Sequence, residues 1–169
     1  EAFADYHFES RGRHIESGVV KSVYERYEGI TWYVQRVLNQ LYAMTEKGET
    51  VMASDVERAE NHIIAQNEEA YKDTLFQLSV RQRDLVLAIS KEGKARQITS
   101  SAFVKRHHLT SASSVQKASA LLVSKQILTH QQDICEIYDK FFSTWLVRIS
   151  SLFQIVKQTR NGRALPVPI

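Results

Sequence analysis

The chain has 169 residues, of which 43% are apolar and 24% charged, with six glycines and two prolines. This balance is typical of a folded protein and excludes a disordered tail or a collagen-like chain. The sequence has no run of 18 apolar residues and no signal peptide at residues 1–5, so we predict no contact with a membrane. A single cysteine, Cys135, favours a reducing, cytoplasmic setting.

The formal charge of +3 is divided unevenly along the chain. Residues 1–80 contain 8 Lys/Arg and 14 Asp/Glu, which gives −6, whereas residues 81–169 contain 14 Lys/Arg and 5 Asp/Glu, which gives +9. Such a change near the middle indicates two modules with different partners. The basic half could face nucleic acid or could face the acidic half, because both arrangements satisfy the same electrostatics.

Hydrophobic periodicity predicts that the first half is helical. Helices are expected over residues 2–10, 17–28, 31–47 and from Ser54 towards residue 78, with a break near Asn67. In the first of them Phe3 and Tyr6 are expected to face inward, and Ser54 with Glu57 has the spacing of a capping box. We therefore expect a small bundle of about four helices.

The second half has the element order of a winged helix-turn-helix domain. Ser79 and Gln82 form a second capping-box pattern, ahead of a helix that ends at Gly93. A helix over residues 100–107, a turn at 108–110 and a third helix, capped by Thr110 or Ser111, come next. Residues 127–130 and 134–138 are expected to form a β-hairpin wing, and Asp139 to cap a long helix. The turn sets the third helix across the second, as DNA recognition requires.

The predicted fold is therefore mainly α: a helical lid-like bundle over residues 1–78, then a winged helix-turn-helix domain with a short β-hairpin wing over 79–150. Residues 151–169 are expected to be the end of the last helix and an extended tail. Apolar stripes place inward-facing residues on three of the predicted helices: Trp32, Tyr33, Leu121, Leu122, Phe142, Trp145, Leu146, Ile149, Phe153 and Val156.

Motifs for catalysis and metal binding are not found in the sequence. There is no phosphate-binding G-x-x-x-x-G-K-[ST] loop and no zinc motif. His107 and His108 are adjacent, so their side chains point about 100° apart on a helix and form a poor ligand pair. We predict no catalytic residue, no metal and no cofactor in this chain, and interpret Cys135 as a buried structural thiol.

Six segments resemble, in order, parts of one ATPase family. Residues 14–15, 20–28 and 29–38 (GITWYVQRVL) resemble the lid region of archaeal-type P-loop ATPases of the AAA+/STAND class, relatives of origin-recognition-type initiators. Residues 78–83 (LSVRQR), 113–118 (SSVQKA) and 138–146 (YDKFFSTWL) resemble the winged helix that follows the lid. The resemblance implies a non-catalytic C-terminal fragment, preceded by a P-loop domain that binds ATP and Mg. It also implies that the lid couples nucleotide state to the winged helix.

The lid resemblance implies a set of residues near the nucleotide. The family's lid motif has a proline where this chain has Thr31. The nucleotide-proximal candidates are Arg11, Arg13, Gly29, Thr31 and Trp32. From the residues alone, the two arginines could instead be solvated or pair with Glu9 and Glu16, and Trp32 could be a core anchor.

The winged helix has its own candidate residues for double-stranded DNA. The start of the third helix would face base edges, and the flanking cations would hold phosphates. These candidates are Lys94, Arg96, Lys105, Arg106, Ser113, Gln116, Lys117 and His130. Three alternatives stay open: packing on the upstream ATPase domain or a partner protein, a free-standing dimeric transcription regulator, and a small hydrolase with a deep polar pocket.

Overall fold

The computed structural model describes residues 2–160 and the side chains of residues 4–151. Contacts divide the chain into two compact units, with the limit between Glu68 and Glu69. The predicted tail over 161–169 lies outside the described residues. So do the side chains of Phe3, Phe153 and Val156, which were predicted to face inward. Among the described residues, no helix combines the length and apolarity that a bilayer crossing requires.

The first unit consists of four helices and a very short parallel sheet. Its elements are α1 (Ala2–Glu9), β1 (His14–Ile15), α2 (Val19–Arg26), α3 (Thr31–Met44), β2 (Thr50–Val51) and most of α4 (Ala53–Phe76). In the sheet His14 lies opposite Thr50 and Ile15 opposite Val51. The four helices agree with the predicted bundle. The two strands were not predicted, because two residues carry no periodicity.

The core of the first unit corrects the predicted stripes of two helices. In α1 the inward residues are Ala4 and Phe8, whereas Tyr6 is 68% exposed. In α3 Tyr33 is buried and Trp32 is 61% exposed, so the prediction of Trp32 as a core anchor is wrong. The elements packed against a helix decide which of its sides is buried. Where apolar residues lie on both sides, as Trp32 and Tyr33 do, the sequence does not show which one faces the core.

The start and the middle of α4 also differ from the prediction. The helix begins at Ala53, so Ser54 is not its cap; Glu16 Oε2 accepts from the backbone N–H of Ala53 at 3.2 Å instead. Asp55 Oδ2 accepts from the N–H of Met52 at 2.8 Å. Asn67 does not break the helix, and its side-chain amide donates to the carbonyl oxygen of Ile63 one turn back, at 2.8 Å.

A buried carboxylate connects α2 and α4. Glu60 is 1% exposed, and its Oε1 accepts a hydrogen bond from Tyr27 Oη at 2.6 Å and pairs with Arg26 Nε at 2.6 Å. Burial, and then the Glu60 hydrogen bond, raise the pKa of Tyr27 well above its usual range, so this hydroxyl stays a donor. The pairing provides the charge compensation that a buried carboxylate requires.

The second unit has the order of elements of a winged helix. After the end of α4 it contains α5 (Val80–Glu92), β3 (Ala95–Arg96), α6 (Ser101–Arg106), α7 (Ala112–Ser124), β4 (Leu128–Gln131), β5 (Ile134–Ile137) and α8 (Lys140–Arg160). The strands form an antiparallel sheet in the order β3-β5-β4. The three helices and the hairpin confirm the prediction, and β3 adds a strand that the sequence interpretation left out.

Three predicted helix caps of this unit are confirmed. Ser79 and Gln82 form the full capping box, with the Ser79 N–H donating to Gln82 Oε1 at 3.0 Å and the Gln82 N–H donating to Ser79 Oγ at 3.4 Å. Ser111, not Thr110, caps α7 and accepts from the N–H of Ser114 at 3.2 Å. Asp139 Oδ1 accepts from the N–H groups of residues 141 and 142 at 2.8 and 3.1 Å. Each bond satisfies a donor that the first turn of a helix leaves free.

The core of the second unit is built on aromatic residues of α8. Phe142, Trp145 and Leu146 are buried as predicted, whereas Leu121 of α7 is 54% exposed, contrary to the prediction. Tyr71 of α4 packs against Phe142 at a ring-centroid distance of 5.2 Å. This packing explains why the second unit includes residues 69–76, the last eight residues of α4. The structural limit therefore lies at 68/69, before the predicted limit at 78/79.

Candidate nucleic-acid interface

Helix α7 presents a polar face at its N-terminal end. Ser113, Gln116 and Lys117 are exposed, while Val115, Ala118 and Leu122 on the opposite face are buried. The first turn contains no acidic residue. Apart from the N–H of Ser114, which Ser111 caps, the N–H groups of the first turn and the positive end of the helix dipole meet no acidic side chain of that turn, which favours an anion such as phosphate.

A tight turn orients α7 with respect to α6. The N–H of His108 donates to Lys105 O at 3.2 Å, and the N–H of Leu109 donates to Val104 O at 2.9 Å. His108 itself has φ 54°. These two bonds and the left-handed residue form a Schellman motif, which ends α6 and reverses the chain. The predicted turn at 108–110 thus has a specific structural basis.

The wing is a tight hairpin. Its loop residues Gln132 and Asp133 both have positive φ, at 47° and 66°, as a two-residue type I′ turn requires. This loop is one residue shorter than the predicted one, because Gln131 pairs with Ile134 within the sheet. The tight turn keeps the tip of the wing close to the strands.

The strand register places two of the predicted DNA-binding residues, Arg96 and His130, on different faces of the three-stranded sheet. Arg96 lies opposite Ile134, whereas Ala95 and His130 lie opposite Cys135 on the two sides of β5. Because cross-strand partners share a face of the sheet, Arg96 and His130 lie on opposite faces. Cys135 and Ala95 are buried, so His130 is on the face that also contributes to the core.

The segment around α7 contains no carboxylate. Residues 93–132 have no Asp or Glu, and their six Lys/Arg are Lys94, Arg96, Lys105, Arg106, Lys117 and Lys125. All six side chains are exposed. These side chains favour a polyanion as ligand, although the exposed Asp84 of α5 lines a small pocket together with Arg81 and Ser114 at the start of α7.

Arg106 of this segment forms an ion pair at the end of α6. Arg106 Nη1 lies 2.8 Å from Glu92 Oε1, and His107 Nε2 lies 2.7 Å from the same atom. The His107 hydrogen bond, followed by that of Arg106, holds the pKa of Glu92 below its usual value near 4.5. Glu92 thereby joins the ends of α5 and α6, which gives Arg106 a structural role in addition to its predicted phosphate contact.

Arg81 is a cation of this surface that the sequence interpretation did not single out. A groove of about 180 Å³ between the start of α5 and α7 is lined by Arg81, Ser114, Lys117 and Leu121, among others. The capping box at Ser79 fixes the start of α5 and thus the position of Arg81. The sequence signal was present, because Arg81 belongs to the basic half, but only the packing of α5 on α7 places it in the same groove as Lys117.

Cys135 is a structural thiol, as predicted. It is fully buried in β5, and burial raises the pKa of its thiol to about 11. A protonated thiol in the core is a poor nucleophile. Within the described residues, moreover, no three His, Cys, Asp or Glu side chains come together as a metal site.

The lid candidates of the first unit fall into two groups. Gly29 has φ 71°, and a Cβ there would lie 2.7 Å from Tyr24 Oη, so the turn before α3 needs glycine. Thr31 and Trp32 follow this turn and are exposed. Arg11, nearer the start of the unit's sequence, is exposed and lines a cleft together with Tyr24.

Arg13 is bound within the first unit. Its Nε donates to Thr45 O at 2.7 Å, its Nη1 donates to Tyr42 Oη at 3.1 Å, and its guanidinium lies 4.3 Å from the centre of the Tyr42 ring. These contacts replace the ion pairs with acids that were considered from the sequence. They connect the segment before β1 to the end of α3.

A comparison with family models agrees with this architecture. Residues 69–148 match the model of a family described as a probable winged helix domain. The match begins at the residue where the second structural unit begins. No curated protein and no solved structure matches the chain. The second unit is therefore a winged helix, a domain type whose presence suggests binding of DNA or of a partner.

Proposed function

We propose that the winged helix of this chain binds double-stranded DNA, with α7 in the major groove. The observation that carries the proposal is the exposed N-terminal face of α7, which lies in a segment of 40 residues, 93–132, without a carboxylate. Recognition helices of helix-turn-helix proteins use the same end to contact base edges.

The residues of this face have distinct roles in the proposal. The Gln116 amide can pair with adenine, and Ser113 can donate to or accept from a base or a phosphate. Lys117 and Arg81, which line the same groove between α5 and α7, hold the DNA backbone. Further phosphate contacts come from Lys94, Arg96 and Lys105. Since Arg96 and His130 lie on opposite faces of the sheet, one of the two approaches the neighbouring groove.

Fluorescence anisotropy with a labelled duplex of about 20 base pairs, two helical turns, tests this proposal. Binding is expected to weaken steeply as salt rises, since each phosphate contact releases counterions. Lys117→Gln is expected to lower the affinity and to reduce the slope of log K against log salt by about 1.

Lys21→Gln is the matched control, because it removes the same charge from α2, where Lys21 is 68% exposed and pairs with Glu25. The control should bind as the wild type does. The proposal fails if no binding occurs at low salt, or if Lys21→Gln weakens binding as much as Lys117→Gln.

A partner protein is the second candidate ligand of the same surface. Leu121 is 54% exposed beside Lys117, and an apolar side chain in the middle of a recognition helix suits a protein contact better than a phosphate. Absence of DNA binding at low salt would favour this candidate. The partner would then be expected to have an acidic, partly apolar surface.

We further propose that the first unit is the lid of a P-loop ATPase of the AAA+/STAND class, and that it couples nucleotide state to the winged helix. The resemblance of residues 14–15, 20–28 and 29–38 to such lids supports this proposal. The coding sequence ahead of Glu1 provides the test: it should specify a G-x-x-x-x-G-K-[ST] loop between a strand and a helix. A gene without that loop would refute it.

A further inference from the structure

The first unit contains a cleft that the DNA-binding proposal does not use. It lies between α1, α2 and α3, and its volume is about 690 Å³, within the range of small-molecule sites. Its apolar lining comes from all three helices: Ala4, Phe8, Val20, Tyr24, Val34, Leu38 and Tyr42. An apolar surface of this extent is suited to a hydrophobic ligand.

The polar residues that line the cleft include one cation, Arg11. They are His7, Arg11, Gln35 and Asn39, and no Asp or Glu among residues 4–151 lines the cleft. This composition is unusual for a chain half whose net charge is −6. The cleft therefore combines an apolar wall with hydrogen-bond donors and a guanidinium.

The guanidinium of Arg11 is available to a ligand. Arg11 is exposed and makes no ion pair with the residues that the structure describes, in contrast to Arg13, whose guanidinium is held by Thr45 and Tyr42. A carboxylate is the group that a guanidinium binds most specifically, because two parallel N–H donors match its two oxygens.

We propose that this cleft binds a small amphipathic carboxylate, with its acid group on Arg11 and its apolar chain along α3. The α3 lining runs from Val34 to Tyr42, a rise of about 12 Å, which an extended chain of about ten carbons also spans. Phe8 and Leu38 contact the chain, and Asn39 donates its amide to the carboxylate or to a polar substituent. The site belongs to the first unit, whereas the proposed DNA-binding surface belongs to the second.

Isothermal titration of the 169-residue protein with decanoate, decanol and decyltrimethylammonium tests the proposal. Decanoate is expected to bind more tightly than the other two, because only its headgroup pairs with Arg11. Arg11→Gln should weaken decanoate binding about tenfold and leave decanol binding unchanged.

Two further variants separate the site from general hydrophobic adsorption. Lys21→Gln, on α2 but outside the cleft lining, should leave decanoate binding unchanged. Leu38→Trp, which fills the cleft, should abolish it while circular dichroism shows the wild-type helix content. Equal binding of decanoate and decanol, no effect of Arg11→Gln, or no decanoate binding at all would overturn the proposal.

Discussion

Single side chains determine how the winged helix is held together. Glu92 is the last carboxylate before the basic segment, and it accepts contacts from Arg106 and His107 on one oxygen. His107 is only 11% exposed, so loss of Glu92 would leave a buried ring nitrogen without its partner. The sequence did not reveal this connection, because the partners are 14 and 15 residues apart.

Glu92→Gln is expected to lower the free energy of unfolding of the second unit by about 1–2 kcal/mol near neutral pH. The pKa of Glu92 is lower in the folded chain than in the unfolded one. Its stabilisation is therefore present above the unfolded pKa near 4.5 and is lost as pH falls through the folded pKa. The difference in the free energy of unfolding between Glu92→Gln and the wild type should therefore shrink as the pH falls.

Urea titrations at several pH values measure this difference. In a Trp32→Phe background the buried Trp145 is the remaining tryptophan, so its fluorescence reports on the second unit alone. Asp84→Asn, an exposed acid on the same helix, is the control and should shift nothing. A Glu92→Gln effect that is constant from pH 7 to pH 3 would contradict the assigned role.

At the scale of helices and strands, the sequence predicted what depends on local chemistry. The caps at Ser79, Ser111 and Asp139 were foreseen because a capping residue bonds to N–H groups two or three residues ahead. The faces of Trp32 and Leu121 were not, because burial depends on which elements pack nearby. The two-residue strands were also missed, since they exist only through their long-range pairing.

Asp139→Ala tests the cap of α8 and is expected to lower the free energy of unfolding of the second unit by about 1 kcal/mol. The reason is that the N–H groups of Phe141 and Phe142 lose their acceptor at the start of the helix that carries the aromatic core. Urea unfolding monitored by Trp145 provides the measurement.

Asp139→Asn is the companion variant, because an asparagine also caps a helix and should retain most of the stability. The account would be wrong here if Ala and Asn at this position destabilised the unit equally, since the loss would then come from charge and not from the cap.

At the scale of the whole molecule, charge and fold together point to the proposed function. The formal charge changes from −6 over residues 1–80 to +9 over residues 81–169, and the structure has two units with their limit between Glu68 and Glu69. The winged helix was predictable from the order of helices, turn and hairpin. The candidate site could be proposed from the sequence only in part: Lys117 and its neighbours follow from the element order, whereas Arg81 requires the packing of α5 against α7.

The most direct test of DNA binding by α7 is a titration of the ¹⁵N-labelled 19.4 kDa chain with a short duplex, followed by backbone amide NMR. The account predicts that the largest shift changes fall on residues 112–121, with smaller changes at Arg81 and around the wing, and that residues of the first unit change little. Absence of shift changes at low salt, or changes confined to residues 2–68, would contradict it.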